Sequence, residues 1–178
     1  MSTFYKKGPS FSWMRLLSLL LVLLPLAGRS QSTAVSSTVV ISQIYGGGGN
    51  TSASFRSDFI ELHNISAVSQ TLTGYSVQYN SATGTLSYTV TALPASVVIP
   101  AGGYYLIQEA TTGTTTPVLT PAGDVTGTIN LSASTGKVAL VSSTTALGAT
   151  CAPNAAIIDF VGYGATADCA EGTSVLPF

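Results

Sequence analysis

The chain has 178 residues, enough for one ordinary domain, and only 6 basic and 7 acidic residues. Four of the basic residues lie within the first 30 positions. The remainder therefore keeps Arg56 and Lys137 against all 7 acidic residues, a net charge of −5. Because nonspecific affinity for nucleic acids comes largely from lysine and arginine, this composition disfavours nucleic acid as a partner.

The N-terminus has the features of a signal peptide. Basic residues precede an apolar run at positions 16–26, which is too short to span a bilayer comfortably. Gly28 and Ser30 supply small residues before a cleavage point after Ser30. We therefore expect a signal peptide over residues 1–30 and a short polar linker over 31–38, with an uncleaved anchor as the alternative. The protein would then be secreted, periplasmic or held at the cell surface.

From Val39 onward the chain is rich in serine, threonine, valine, glycine and tyrosine. Residues with β-branched or aromatic side chains favour strands, and clusters of glycine and proline separate the apolar segments. Many short strands without an intervening helical pattern predict an all-β fold, an antiparallel β-sandwich. The predicted strands cover residues 38–45, 59–64, 75–79, 86–93, 104–109, 127–131, 137–141 and 157–163.

The run D-F-I-E-L-H-N at 58–64 gathers two carboxylates and the chain's single histidine, residue types that a metal-dependent nuclease uses. In a strand, however, Asp58 points to one face while Glu61 and His63 point to the other. Asn64 falls at the strand end, where its side chain can bond to nearby backbone. The three ionisable groups do not converge, so we predict no catalytic residue, no cofactor and no metal ligand here.

Two other groups of residues could support metal binding or a covalent cross-link. Cys151 and Cys169 are both in the exported part and predict a disulfide, worth about 3 kcal/mol in the chain-entropy model. Zinc is the weaker alternative, since the usual spaced ligand set is missing. Calcium binding by acidic residues is a further alternative, although no D-x-D-x-D-G pattern occurs. The acidic residues concerned are Asp58, Glu61, Asp159 and Asp168.

Tyrosines supply the best candidates for recognition, because each combines contact area with a polar tip. Tyr104 and Tyr105 are adjacent, so strand geometry directs one of them outward. Together with Glu61 and His63 they form the predicted recognition surface. Its partner would be an unknown extracellular protein or glycan.

Six motifs occur in order along the chain. They are I-S-Q-I-Y-G-G-G-G-N (41–50), F-I-E-L-H-N (59–64), T-G-Y-S-V-Q-Y (73–79), I-P-A-G-G-Y-Y-L-I-Q (99–108), I-N-L-S-A-S-T-G-K-V-A-L-V (129–141) and I-D-F-V-G-Y-G (158–164). Together they resemble the lamin-tail domain family across almost all of residues 39–170. The resemblance is closest to the bacterial branch, whose members commonly occur in secreted proteins beside endonuclease/exonuclease/phosphatase-type domains. It implies an immunoglobulin-like β-sandwich that binds partners and does not catalyse a reaction.

On this basis we predict a lamin-tail domain over residues 39–176. The expected function is that of an exported, noncatalytic module for binding or extracellular assembly. The alternative is an N-terminal accessory domain of a secreted nuclease whose catalytic domain lies outside this chain. The sequence leaves the oligomeric state open.

Overall fold

The computed structural model describes residues 36–114, 116–149 and 154–171, and these residues form strands and no α-helix. The strands are β1 Val39–Tyr45, β2 Ser57–Asn64, β3 Gln70–Thr71, β4 Ser76–Asn80, β5 Thr89–Ala92, β6 Val98–Ile99, β7 Tyr104–Thr111, β8 Val125–Thr126, β9 Gly136–Val141 and β10 Ile157–Tyr163. The all-β prediction is confirmed.

Two four-stranded sheets make up most of the fold. The first sheet has the order β1-β2-β7-β8 and the second has the order β10-β9-β4-β5, while β3 and β6 form a small separate pair. Inward-pointing apolar side chains of both sheets meet in one core, as expected for a β-sandwich. The core includes Ile41, Ile60, Leu62 and Ile107 from the first sheet and Val77, Val138, Leu140 and Tyr163 from the second. This arrangement fits an immunoglobulin-like sandwich.

The outer face of the second sheet is covered as well. A second apolar cluster lies there and includes Ala139, Val141 and Phe160. The side chains of Ser76 and Gln78 hold the covering segment, since Ser76 Oγ donates to Ser143 O at 2.6 Å and Gln78 Oε1 accepts from Leu147 N at 2.8 Å. As a result, every residue of the central strand β9 is buried.

The prediction of a wholly antiparallel sandwich is wrong in one place. No strand forms over residues 127–131, and the neighbour of β7 is instead the two-residue strand β8, which runs parallel to it. The reason lies in two backbone amides of the predicted strand. Ile129 N donates to the carboxylate of Glu109 and Leu131 N donates to that of Asp58, so neither is available to a regular ladder.

The predicted signal peptide and most of the predicted linker lie outside the described residues, so both stay predictions, as do the limits 39–176. Within the described ranges we find no helix with the length and apolar character needed to cross a bilayer.

Candidate binding surface

Asp58 points into the sandwich, as alternation along β2 predicts. Its Oδ1 accepts a hydrogen bond from Gly48 N at 2.6 Å, and its Oδ2 accepts one from Leu131 N at 2.7 Å. Burial raises the pKa of this carboxyl, although the backbone amides that it binds oppose the shift. Asp58 therefore fastens two loops to β2, and both of its oxygens are engaged.

Glu109 on β7 is a second buried carboxyl and was not among the predicted site residues. Its Oε2 accepts hydrogen bonds from Thr91 Oγ1 and Ile129 N, both at 2.9 Å, whereas Oε1 has no partner among the described residues. Burial is the main cause that raises the pKa of Glu109 to about 7. Alternation places Glu109 on the same face as the fully buried Ile107, which is the signal that would have found it.

The outer face of the first sheet brings together three of the four residues predicted for recognition. His63 pairs with Tyr104 across β2 and β7, and their rings stack with centroids 4.2 Å apart and an interplanar angle of 8°. Glu61 lies on the same face, where its Oε1 accepts a hydrogen bond from Ser42 Oγ at 2.6 Å. A β-bulge between Ile41 and Gln43 places Ser42 opposite Glu61.

Tyr105, the fourth residue predicted for recognition, does not lie on this outer face. Adjacent residues in β7 point to opposite faces, so with Tyr104 58% exposed on the outer face, Tyr105 turns inward and packs against the main core. Burial, followed by the negative charge of Asp124, raises the pKa of Tyr105.

A groove of about 400 Å³ lies on this outer face, between the strands and the loop that precedes β8. Phe59 and Leu119 are buried and belong to its apolar lining, while Tyr104 and Asp124 are exposed. The lining mixes aromatic, aliphatic and acidic side chains. Its residues are Gln43, Phe55, Phe59, Glu61, Tyr104, Leu106, Leu119, Thr120, Pro121, Ala122 and Asp124.

The two acidic residues of the groove lie on either side of Leu106. Glu61 is the cross-strand partner of Leu106. Asp124 bonds to the same residue on its other side, because Asp124 N donates to Leu106 O and Leu106 N donates to Asp124 Oδ2, both at 2.7 Å. Each carboxylate is thus held through one oxygen, and within the described chain no hydrogen bond engages Glu61 Oε2 or Asp124 Oδ1.

A cluster of aromatic rings stabilises one end of the groove. Tyr45 stacks on Phe59 with centroids 5.2 Å apart, and Phe55 meets both rings edge-on. The Tyr45 hydroxyl accepts a hydrogen bond from Ser54 N at 2.9 Å. These contacts hold the loop between β1 and β2 against the sheet, so this part of the groove is formed in advance of any ligand.

The acidic residues weighed for calcium lie in separate places. Asp159 Oδ2 accepts a hydrogen bond from Ile41 N at 2.6 Å, and burial raises the pKa of Asp159. Asp168 forms an ion pair with Lys137 at 2.7 Å on the covered face of the second sheet. Throughout the described ranges, no three histidine, cysteine, aspartate or glutamate side chains group closely enough to hold a metal ion.

The structure describes one of the two cysteines of the predicted disulfide, Cys169. Cys169 is buried in the apolar cluster on the outer face of the second sheet. Cys151 lies outside the described residues, so its pairing with Cys169 stays a prediction.

Comparison with protein families agrees with the fold. The model of the Lamin Tail Domain matches residues 32–165, three quarters of the chain. The chain belongs to the lamin tail domain family. Among curated proteins, none matches it in sequence. In this lamin tail domain, Glu61, His63 and Tyr104 lie on one face, as strand alternation predicts, and their role in recognition stays a prediction. The prediction did not include the groove residues supplied by the loop before β8.

Proposed function

We propose that this lamin tail domain is an exported, noncatalytic module that binds an extracellular protein or glycan through the outer face of its first sheet. The observation that carries the proposal is the groove beside Tyr104, where aromatic surface and two incompletely engaged carboxylates occur together. Pockets that mix apolar walls with a few polar groups are the usual form of a binding site.

The use of the polar residues supports binding over catalysis. Asp58 accepts hydrogen bonds from backbone amides with both oxygens, Asp159 Oδ2 accepts one from Ile41 N, and Lys137 is paired with Asp168. His63 stacks on Tyr104, an arrangement that rigidifies the surface. A hydrolytic site needs a general base oriented towards a nucleophile. The contacts above give these ionisable residues structural roles, in which none of them is oriented as a general base.

The proposal is tested with the purified protein and a matched groove variant. Wild-type protein and Tyr104→Ala are applied to a glycan array and to extracellular material from the producing cells, beside assays for nuclease and phosphatase activity with divalent metals. We expect retention by wild-type protein, loss of retention in the variant, and no hydrolysis. Metal-dependent hydrolysis, or equal retention by both proteins, would overturn the proposal.

Export is tested separately. N-terminal sequencing of the protein recovered outside the cell should begin at Gln31, after removal of the first 30 residues. Recovery of the protein only inside the cell, with Met1 or Ser2 at its N-terminus, would contradict export.

A further inference from the structure

The groove on the outer face of the first sheet is negatively charged. Its lining contains two carboxylates, Glu61 and Asp124, and no basic side chain. The described residues include two cations. Lys137 is fully buried and paired with Asp168, and Arg56 does not line the groove. Carboxylates accept hydrogen bonds and donate none, so a ligand that brings donors and positive charge satisfies them best.

The groove also offers an aromatic face beside this charge. One side of the Tyr104 ring is taken by His63, yet Tyr104 remains 58% exposed. Ammonium and guanidinium groups bind to the faces of aromatic rings, and the attraction adds to that of a nearby carboxylate. A carbohydrate could stack on the same ring, but it brings no charge to match Glu61 and Asp124.

The placement of the two carboxylates indicates where the cations would lie. Glu61, Leu106 and Asp124 lie side by side on neighbouring segments of the sheet. The Asp124 carboxylate lies against the backbone of Leu106, because Leu106 N donates to its Oδ2 at 2.7 Å, and the Glu61 carboxylate is held by Ser42 Oγ on the other side of β2. A ligand that crosses Leu106 can therefore meet one carboxylate on each side of it.

From this geometry we infer that the groove binds a basic peptide segment in an extended conformation, with one cationic side chain at Glu61 and a second at Asp124. The first cation lies beside the exposed face of Tyr104, and Leu106 packs against the residues between the two cations. This inference rests on the proposed binding function, and it names the class of partner: a protein segment rich in lysine or arginine.

The test uses a capped peptide with two lysines separated by two prolines, titrated into isotopically labelled protein and followed by NMR. Three changes should weaken binding: Glu61→Gln, Asp124→Asn and Tyr104→Ala. The first two keep the oxygen that accepts from Ser42 Oγ or Leu106 N, so the fold is retained. We expect each to raise Kd roughly three- to tenfold, and about 0.5 M salt to raise it for wild-type protein too.

Two controls separate local from general effects. Leu86→Lys adds one positive charge at a side chain that is 78% exposed beyond β4 in the second sheet, so it changes the net charge as Glu61→Gln does. It should change Kd less than twofold if the groove is the site. A peptide with norleucine in place of both lysines keeps the length and apolar character without the charge, and it should not bind.

Three results would overturn the inference. They are no peptide binding up to about 1 mM, equal binding of the norleucine peptide, and equal weakening by Leu86→Lys and Glu61→Gln. If Tyr104→Ala abolishes retention of a neutral glycan while the lysine peptide fails to bind, the proposed function stands and the basic peptide is excluded. If neither ligand class is retained, the proposed function fails as well.

Discussion

Replacement of Glu109 by glutamine should change how the stability of the domain depends on pH. Glu109 is fully buried, and its Oε1 has no partner among the described residues. The folded protein raises the pKa of this carboxyl from 4.5 to about 7, chiefly because burial disfavours the charged form. Between pH 4.5 and about 7, Glu109 is therefore protonated in the folded state and ionised in the unfolded chain.

The linkage between protonation and folding gives the sign and size of the contribution of Glu109 to the free energy of unfolding. Since the folded state binds the proton more tightly, the free energy of unfolding decreases as the pH rises from 4.5 to about 7. The contribution of Glu109 is fully present below that window and lost above it. A pKa difference of about 2.5 units corresponds to about 3 kcal/mol.

The variant Glu109→Gln removes this pH-dependent contribution to stability, and its amide adds an unfavourable contribution that does not depend on pH. Its amide oxygen still accepts from Thr91 Oγ1 and Ile129 N. Its NH₂ group takes the place of the protonated Oε1 and leaves one more buried donor without an acceptor than the neutral carboxyl does, a penalty of about 1–3 kcal/mol. The variant should be less stable than the wild type at about pH 5 and equally or more stable at about pH 8.

Urea unfolding at several pH values measures this difference for the variant and the wild type. Asp159, whose pKa is also raised, is present in both proteins and cancels in the comparison. Asp58 interacts electrostatically with Glu109, so the measured difference includes the effect of the substitution on Asp58. Glu61→Gln makes the same chemical change on the outer face and should alter the free energy of unfolding by less than about 0.5 kcal/mol. If the gap between Glu109→Gln and the wild type is the same at both pH extremes, the reasoning about Glu109 is wrong.

Three further predictions, which use five substitutions, test the packing. Asp168→Ala should lower the free energy of unfolding in urea by about 3 kcal/mol, because it leaves the buried Lys137 ammonium without its 2.7 Å partner. Lys137→Met should cost less, because the charge that it leaves unpaired is that of Asp168, whose side chain is 43% exposed. Asn64→Asp turns a carboxylate towards three backbone carbonyls and should cost about 3 kcal/mol near neutral pH and less in acid. Gly49→Ala should lower the melting temperature more than Gly74→Ala; both have φ near +75°, but only the first would press a side chain against backbone. Equal losses in either pair, or a pH-independent loss for Asn64→Asp, would contradict these expectations.

Alternation along the strands was enough to predict much of the fold and part of the surface. It placed Glu61 and His63 on the outer face, and Asn64 bonds to nearby backbone as its position at the strand end indicates. The same rule applied to residues 104–109 would have placed Glu109 inside, beside Ile107. Local patterns therefore located those residues whose orientation follows from the strand that carries them.

The remaining features depend on segments distant in sequence. Asp124 reaches the groove because it bonds to the backbone of Leu106, 18 residues earlier, and no local pattern encodes that contact. The burial of Lys137 depends on the loops that cover the outer face of the second sheet. The loss of the predicted strand at 127–131 likewise follows from carboxylates on β2 and β7, which a propensity reading of that segment does not include.

The covered second sheet has a consequence for how this domain can diversify. Residues 136–141 are enclosed on both sides, so a change of size or polarity there would disturb two apolar clusters at once. Around the groove, by contrast, Gln43 and Asp124 are exposed and are not part of either cluster. Substitution at such exposed positions should therefore disturb the fold less than substitution in β9, so we expect the outer face of the first sheet to tolerate change better than the second sheet.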